Sequence, residues 1–170
     1  MNNSVSYQLG MQVAQVMMQY GVPELNYDEF KQGVNFVLNA SKTAKADGEK
    51  FLAENAKRPE VKTTPSGLQY EVIEATLGQK PKATDTVRVH YEGALIDGTV
   101  FDSSYQRGES ITFALNQVIK GWTEGLQLMS IGSKYKLYIP YDLAYGAQGA
   151  GGSIPPYAAL IFTVELIGIE

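Results

Sequence analysis

Val118-Ile119-Lys120-Gly121-Trp122 contains the chain's only tryptophan, and Thr123-Glu124-Gly125-Leu126-Gln127-Leu128 follows it. The stretch reads as a short helix whose first turn presents Trp122. Taken alone, a single tryptophan reads as a core residue. What surrounds it decides whether the ring also lines a site.

On both sides lie strand-like runs. Leu68-Gln69-Tyr70-Glu71-Val72 alternates, and so does Thr86-Val87-Arg88-Val89-His90-Tyr91-Glu92, which puts Val87, Val89 and Tyr91 on one face. Asp97-Gly98 is a hairpin signal, with Thr99-Val100-Phe101 returning from it. Ile111 to Leu115 leads into the Trp122 helix, and Lys134 to Ile139 follows it, stopped by Pro140. The last run, Leu160 to Ile169, carries Leu160, Phe162, Val164 and Leu166 on one face. The expected fold class is therefore α+β: a curved antiparallel β-sheet wrapped around a short α-helix.

Before Lys62-Thr63-Thr64-Pro65-Ser66-Gly67, a turn-rich linker, the pattern is helical. Val5, Leu9, Val13, Val16, Met17 and Tyr20 form one stripe, closed by Gly21 and Pro23. Asn26 caps a second helix, in which Tyr27, Phe30, Val34, Val37 and Leu38 form another. A third segment is expected from about Lys42 to Ala56, with Ala44, Gly48, Phe51, Leu52 and Asn55 on one side. The division expected is an all-α region over 1–63 and the β domain over 64–170. Short amphipathic helices are marginal in water. Their stripes call for a partner, either the β domain or a second copy of the chain; symmetric self-association is the commoner solution. Met11, Met17 and Met18 offer an adaptable client-holding surface as an alternative.

Composition narrows the chemistry. The chain has 170 residues, 44% hydrophobic and 19% charged, with a net charge of −4. No basic footprint for nucleic acid is present. There is no cysteine, which excludes disulfides, thiol catalysis and thiolate zinc sites. No apolar run is long enough to span a bilayer, and Met1-Asn2-Asn3-Ser4 lacks the regions of a signal peptide. His90, the single histidine, is a structural or surface residue, since no G-x-S-x-G elbow accompanies it. Gly146 to Gly152 lacks the Lys-Ser/Thr of a phosphate loop and reads as a mobile hairpin loop. No metal or cofactor is expected. Tyr91, Phe101, Asp102, Trp122, Tyr145 and Phe162 remain, at strand ends or a helix start. Such a set lines a concave apolar pocket with one acid, or forms an ordinary aromatic core.

Several motifs carry a resemblance. They are Val89-His90-Tyr91-Glu92-Gly93 with Asp97-Gly98-Thr99-Val100-Phe101-Asp102-Ser103-Ser104, the Trp122 stretch, and Met129-Ser130-Ile131-Gly132-Ser133. Leu143-Ala144-Tyr145-Gly146, Ser153-Ile154-Pro155-Pro156 and Leu160 to Leu166 complete the set. Together they resemble the FKBP-type peptidyl-prolyl isomerases over residues 64 to 170. Leu9-Gly10, Gly48 to Lys57 and Pro65 to Tyr70 are similar to the bacterial macrophage infectivity potentiator and FKBP22-like group, whose N-terminal helices build a dimer. The third helix expected here is several turns shorter than that group's arm.

The resemblance implies isomerisation of X-Pro bonds in proline-containing polypeptide clients, chaperone activity, homodimerisation, and binding of the macrolides tacrolimus and rapamycin, in the bacterial cytoplasm or periplasm. The alternative is a proline-binding or chaperone module with little turnover. It implies Trp122 as the floor under the proline ring, with Tyr91, Phe101, Val118, Ile119 and Phe162 as walls. Tyr145 donates its hydroxyl to a substrate carbonyl, Ile154 sits in the loop that closes over the ligand, and Asp102 is a buried acid bonded to the Tyr91 hydroxyl. Ile111 stands where an aromatic is usual and Ala150 where a histidine is, which alters the pocket rim.

Overall fold

The computed structural model describes residues 4–170, apart from the side chains of Phe36, Val37 and Ala40. Met1-Asn2-Asn3 lie outside the described residues, and so does the side chain of Val37 in the second stripe. Contacts divide the chain into two units, one ending at Leu38 and one of Asn39–Glu170.

In the first unit, helix α1 spans Val5–Gln19. The Ser4 hydroxyl caps its start at Tyr7 N. Gly21 ends it in the left-handed region at φ 67°. Gly21 N donates to Met18 O and Val22 N to Met17 O, the paired bonds that satisfy a helix's last carbonyls. Asn26 Oδ1 accepts from Asp28 N and Glu29 N and so opens helix α2.

Helix α2 runs Tyr27–Asn55 without a break, so the second and third helices expected from sequence are one element of 29 residues. The arm is correspondingly longer than the segment expected from Lys42. Nothing between Leu38 and Lys42 breaks a helix. The packed side crosses the junction at Ser41, a small polar residue that a hydrophobic count does not register, and continues through Ala44 and Gly48. Ser41, Gly48 and Asn55 are buried on that side. A Cβ on Gly48 would come within 3.1 Å of the Ala159 side chain. Asn55 Nδ2 donates to Gln69 Oε1 at 2.9 Å, and Gln69 Nε2 to Leu52 O at 2.9 Å. Arg58 secures the helix end by donating to Asn55 Oδ1, Tyr138 Oη and Glu71 Oε2.

The second unit is built on one antiparallel sheet. Its strands are β1 Val61–Thr63, β2 Gln69–Glu74, β3 Thr86–Leu95, β4 Val100–Ser103, β5 Ile111–Ala114, β6 Lys134–Ile139 and β7 Leu160–Ile169. They lie in the order β1-β2-β6-β7-β3-β4, with β5 also on β3. The backbone pairing fixes the alternation expected of β3 and β7: Tyr91 stands opposite Val164 and Gly93 opposite Phe162. Val87, Val89, Tyr91, Leu160, Phe162, Val164 and Leu166 are all buried on the concave side.

Against that side lies α4, Lys120–Leu128, close to β6 because of two glycines. A Cβ on Gly121 would meet Ile139 Cγ2 at 2.4 Å, and one on Gly125 would meet Leu137 Cδ1 at 2.7 Å. The Lys120-Gly121-Trp122 order thus serves close packing on one side of the helix and display of Trp122 on another. Among the elements not legible in the sequence are β1, within what reads as linker, and α3, the single turn Ser104–Arg107.

Candidate active site

Trp122 N and Thr123 N both donate to Ile119 O, which starts α4 and sets the indole across the concave face. The ring is 5% exposed. Tyr91 meets it edge-on at 5.1 Å and 84°, and Phe162 at 5.1 Å and 83°. Phe113 lies tilted at 5.2 Å. Phe101 in turn stands edge-on to Phe162 at 5.6 Å. These are the offset geometries aromatic quadrupoles favour. The Phe101–Phe162 pair fits only because position 93 is glycine: a Cβ there would stand 2.6 Å from Phe162 Cε1 and 2.8 Å from Phe101.

Above the indole opens a cleft of about 380 Å³, in the range of small-ligand sites. Tyr91, Phe101, Asp102, Ile111, Val118, Ile119, Trp122, Tyr145 and Phe162 all line it. Ile154 does not touch this cleft. It lines a smaller side chamber of about 240 Å³ with Ala150, Gly151 and Ser153, whose other walls are Phe101, Asp102 and Tyr145. Phe113 and Gln117 also line the main cleft and were not among the residues expected there. The alternation of Ile111-Thr112-Phe113 put Ile111 and Phe113 on one face, so the signal for Phe113 was present.

Asp102 differs from the buried acid expected: its side chain is 41% exposed. It does bond the Tyr91 hydroxyl, as anticipated. Its second oxygen accepts from Arg107 Nη1, and Arg107 Nη2 donates to Tyr91 Oη at 3.0 Å. Arg107 comes from α3, and nothing in its sequence context marks it. Ser104 in the same turn is fully buried. Its hydroxyl accepts from Tyr91 N at 2.8 Å and donates to Tyr91 O at 3.2 Å, which holds the tyrosine backbone in place. His90 bonds that hydroxyl at 2.9 Å and stacks on Tyr105, on the face away from the cleft.

Charge in the cleft is settled by this triangle. Burial raises the Asp102 carboxyl, but the hydrogen bonds from Tyr91 and Arg107 and the guanidinium charge outweigh it, leaving the group below its ordinary value. Burial, then the bond to Asp102, pushes the Tyr91 phenol up, against Arg107. Burial and the Asp102 charge also push Tyr145 up. Tyr145 is 40% exposed, and among the described residues no hydrogen bond to its hydroxyl contributes to that shift. The Trp122 indole N–H is buried without a hydrogen-bond partner. The cleft therefore offers apolar walls, one free phenol and one fixed carboxylate. A depressed carboxyl stabilises the fold above about pH 4 and that contribution is lost as pH falls through its folded value. A raised phenol stabilises it below about pH 10 and that is lost as pH rises. Ligand binding in this cleft is expected to be flat across roughly pH 5 to 9, measured as a dissociation constant at constant ionic strength. A slope of one order per pH unit in that window would place a titrating group at the ligand.

The sequence model for "FKBP-type peptidyl-prolyl cis-trans isomerase" matches residues 78–167, more than half of the chain. The chain belongs to the FKBP-type peptidyl-prolyl isomerase family. Residues 38–72 match the domain amino-terminal to FKBP-type isomerases. An FKBP-type isomerase named FkpA from Aeromonas hydrophila is 53% identical over 159 residues, 94% of this chain and 57% of the relative. The FKBP-type 22 kDa peptidyl-prolyl cis-trans isomerase of Escherichia coli is 58% identical over 124 residues, 73% of this chain and 60% of the relative. The chain thus spans less than two thirds of these FKBP relatives. The crystal structure of FkpA from Escherichia coli superposes with a TM-score of 0.76 at 38% identity, over 99% of this chain and 84% of that one. No helix among the described residues is long and apolar enough to cross a membrane.

Proposed function

We propose that this chain catalyses cis/trans isomerisation of X-Pro bonds in folding polypeptides, in the cleft over Trp122, and that tacrolimus and rapamycin compete for it. The observation that carries this reading is the pairing of an apolar aromatic box with a polar triangle whose carboxyl is held below, and whose phenol is held above, its ordinary value. Bond rotation needs no proton transfer. Its barrier is about 18–20 kcal/mol because amide resonance resists twisting, and uncatalysed X-Pro exchange takes tens to hundreds of seconds. Twisting lowers the charge separation between amide oxygen and nitrogen. A water-excluding cleft disfavours the planar amide more than the twisted one, which is binding selective for the transition state.

In this mechanism the proline ring lies on Trp122 between Tyr91, Phe101, Val118, Ile119 and Phe162. The free Tyr145 hydroxyl donates to a substrate carbonyl. Asp102, fixed by Tyr91 and Arg107, orients the amide as it turns. Ile111 sets the rim, and the side chamber with Ile154 and Ala150 takes the residue before proline. The reading is tested by catalysed exchange of a short proline peptide, abolished by rapamycin.

The division of labour proposed is 1–63 for dimerisation and linkage and 64–170 for catalysis, in the bacterial cytoplasm or periplasm. Leu9 is 57% exposed and Tyr20 75%, and no residue of α1 is buried. Such an apolar face on a short helix supports pairing with a second copy, and a dimer then offers two clefts to one client. Light scattering of the full chain is expected to give twice its 18.6 kDa. Leu9→Glu with Val16→Glu is expected to halve that mass and leave peptide turnover intact. A monomeric mass for the unaltered chain at micromolar concentration contradicts the dimer, and the methionine-bearing face then becomes a client-holding surface.

A further inference from the structure

We infer that Lys45, on α2, is a positioning residue for the active-site loop, acting through Tyr141 and Tyr157. The inference rests on the reading of the Trp122 cleft as the isomerase site and deepens it.

The loop that carries Tyr145 and Ile154 leaves the core at Tyr141 and returns at Tyr157. Its base is closed by backbone bonds: Gly146 N donates to Tyr141 O at 2.8 Å, and Tyr157 N to Gly146 O at 2.9 Å. The Tyr141 and Tyr157 rings meet edge-on with centroids 5.3 Å apart. Tyr157 has φ 62°, the only positive value at a non-glycine among the described residues. A bulky side chain holds that conformation only where its surroundings impose it.

Lys45 supplies the restraint. Its Nζ stands 5.5 Å from the Tyr141 ring centre and 5.7 Å from that of Tyr157, within cation–π range of both. One compact ammonium thus holds both ends of the loop. Its nearest carboxylate, Glu49, is 4.0 Å away and well exposed, a weak competitor. Gly48, one turn on, lets α2 approach the chain just past Tyr157, with its Cβ position 3.1 Å from Ala159. That approach sets the reach of Lys45. Tyr145, the cleft's free hydroxyl, immediately precedes Gly146 of the closure. Loss of the ammonium lets Tyr157 relax and loosens the placement of Tyr145 and Ile154. Substrate capture suffers, while the floor and walls of the cleft stay in place.

The test uses the full chain with Lys45→Met, which keeps the stem and removes the charge, and Lys45→Arg, which restores it. Turnover of a proline peptide is measured beside amide hydrogen exchange over residues 146–157. Lys45→Met is expected to raise KM and loop exchange by roughly 5- to 30-fold, the range set by losing contacts to two rings. Its kcat should stay within about twofold, as expected when only ground-state and transition-state binding fall together. Lys45→Arg should return both readouts to normal. Tyr157→Leu, which removes one ring, should reproduce the exchange effect independently. Wild-type KM and wild-type loop exchange in Lys45→Met would overturn the inference. If the unaltered chain shows no isomerisation, the isomerase reading falls instead, and loop exchange alone decides the role of Lys45.

Discussion

Trp122→Leu is expected to lower kcat/KM for a proline peptide about 100-fold, equivalent to about 2.7 kcal/mol of transition-state binding, and rapamycin affinity by a similar factor. The indole is where the walls meet: Tyr91, Phe113 and Phe162 all contact it within 5.2 Å. Leucine is smaller and flexible, so the box loses both its floor and the edges that hold Tyr91 and Phe162 upright. Truncating a buried tryptophan to alanine costs about 3–5 kcal/mol of stability. Leucine refills part of that volume, and the indole N–H has no partner to lose. The expected stability loss is therefore about 2–3 kcal/mol, which a urea midpoint resolves. If turnover and inhibitor affinity both survive while stability falls, Trp122 is core alone and the proline ring binds elsewhere.

Gly93→Ala is the second large effect expected. One methyl group here enters the space between Phe101 and Phe162, at 2.6–2.8 Å from their ring carbons. Phe162 is itself 3% exposed and held on the central strand β7, so it has little room to retreat. Overpacking of this kind costs about 1–3 kcal/mol. The larger consequence is functional, because both rings wall the cleft. A shift near 1 Å in a positioning group costs on the order of 100-fold in rate. The expected result is a 10- to 100-fold fall in kcat/KM at a smaller loss of stability than Trp122→Leu. Equal kcat/KM in Gly93→Ala and the unaltered chain would show that the Phe101–Phe162 geometry does not matter to turnover.

Much of this arrangement was legible in the sequence, for a physical reason. On β3 and β7 the two-residue period fixes which face each side chain takes, so Val87, Val89, Tyr91, Phe162 and Val164 could be assigned before any pairing was known. The Asp97-Gly98 turn and the glycine at the start of α4 were equally local. The residues missed are those whose role depends on convergence of distant segments. Arg107 matters because α3 folds back beside Tyr91. Ser104 matters because its hydroxyl reaches across to the Tyr91 backbone. Lys45 becomes relevant only once α2 lies against the chain near Ala159. The break expected in α2 came from counting apolar residues across a junction where the buried position is Ser41. The burial assigned to Asp102 followed from its apolar company. The guanidinium that offsets its partial burial could not be placed from sequence spacing.

The central claim is that the cleft over Trp122 turns X-Pro bonds without proton transfer. The most direct measurement is the exchange rate between cis and trans forms of an Ala-Leu-Pro-Phe peptide at catalytic concentrations of the full chain, with and without equimolar rapamycin. The account predicts exchange well above the uncatalysed rate, returned to that rate by rapamycin. Exchange no faster than in buffer would contradict it.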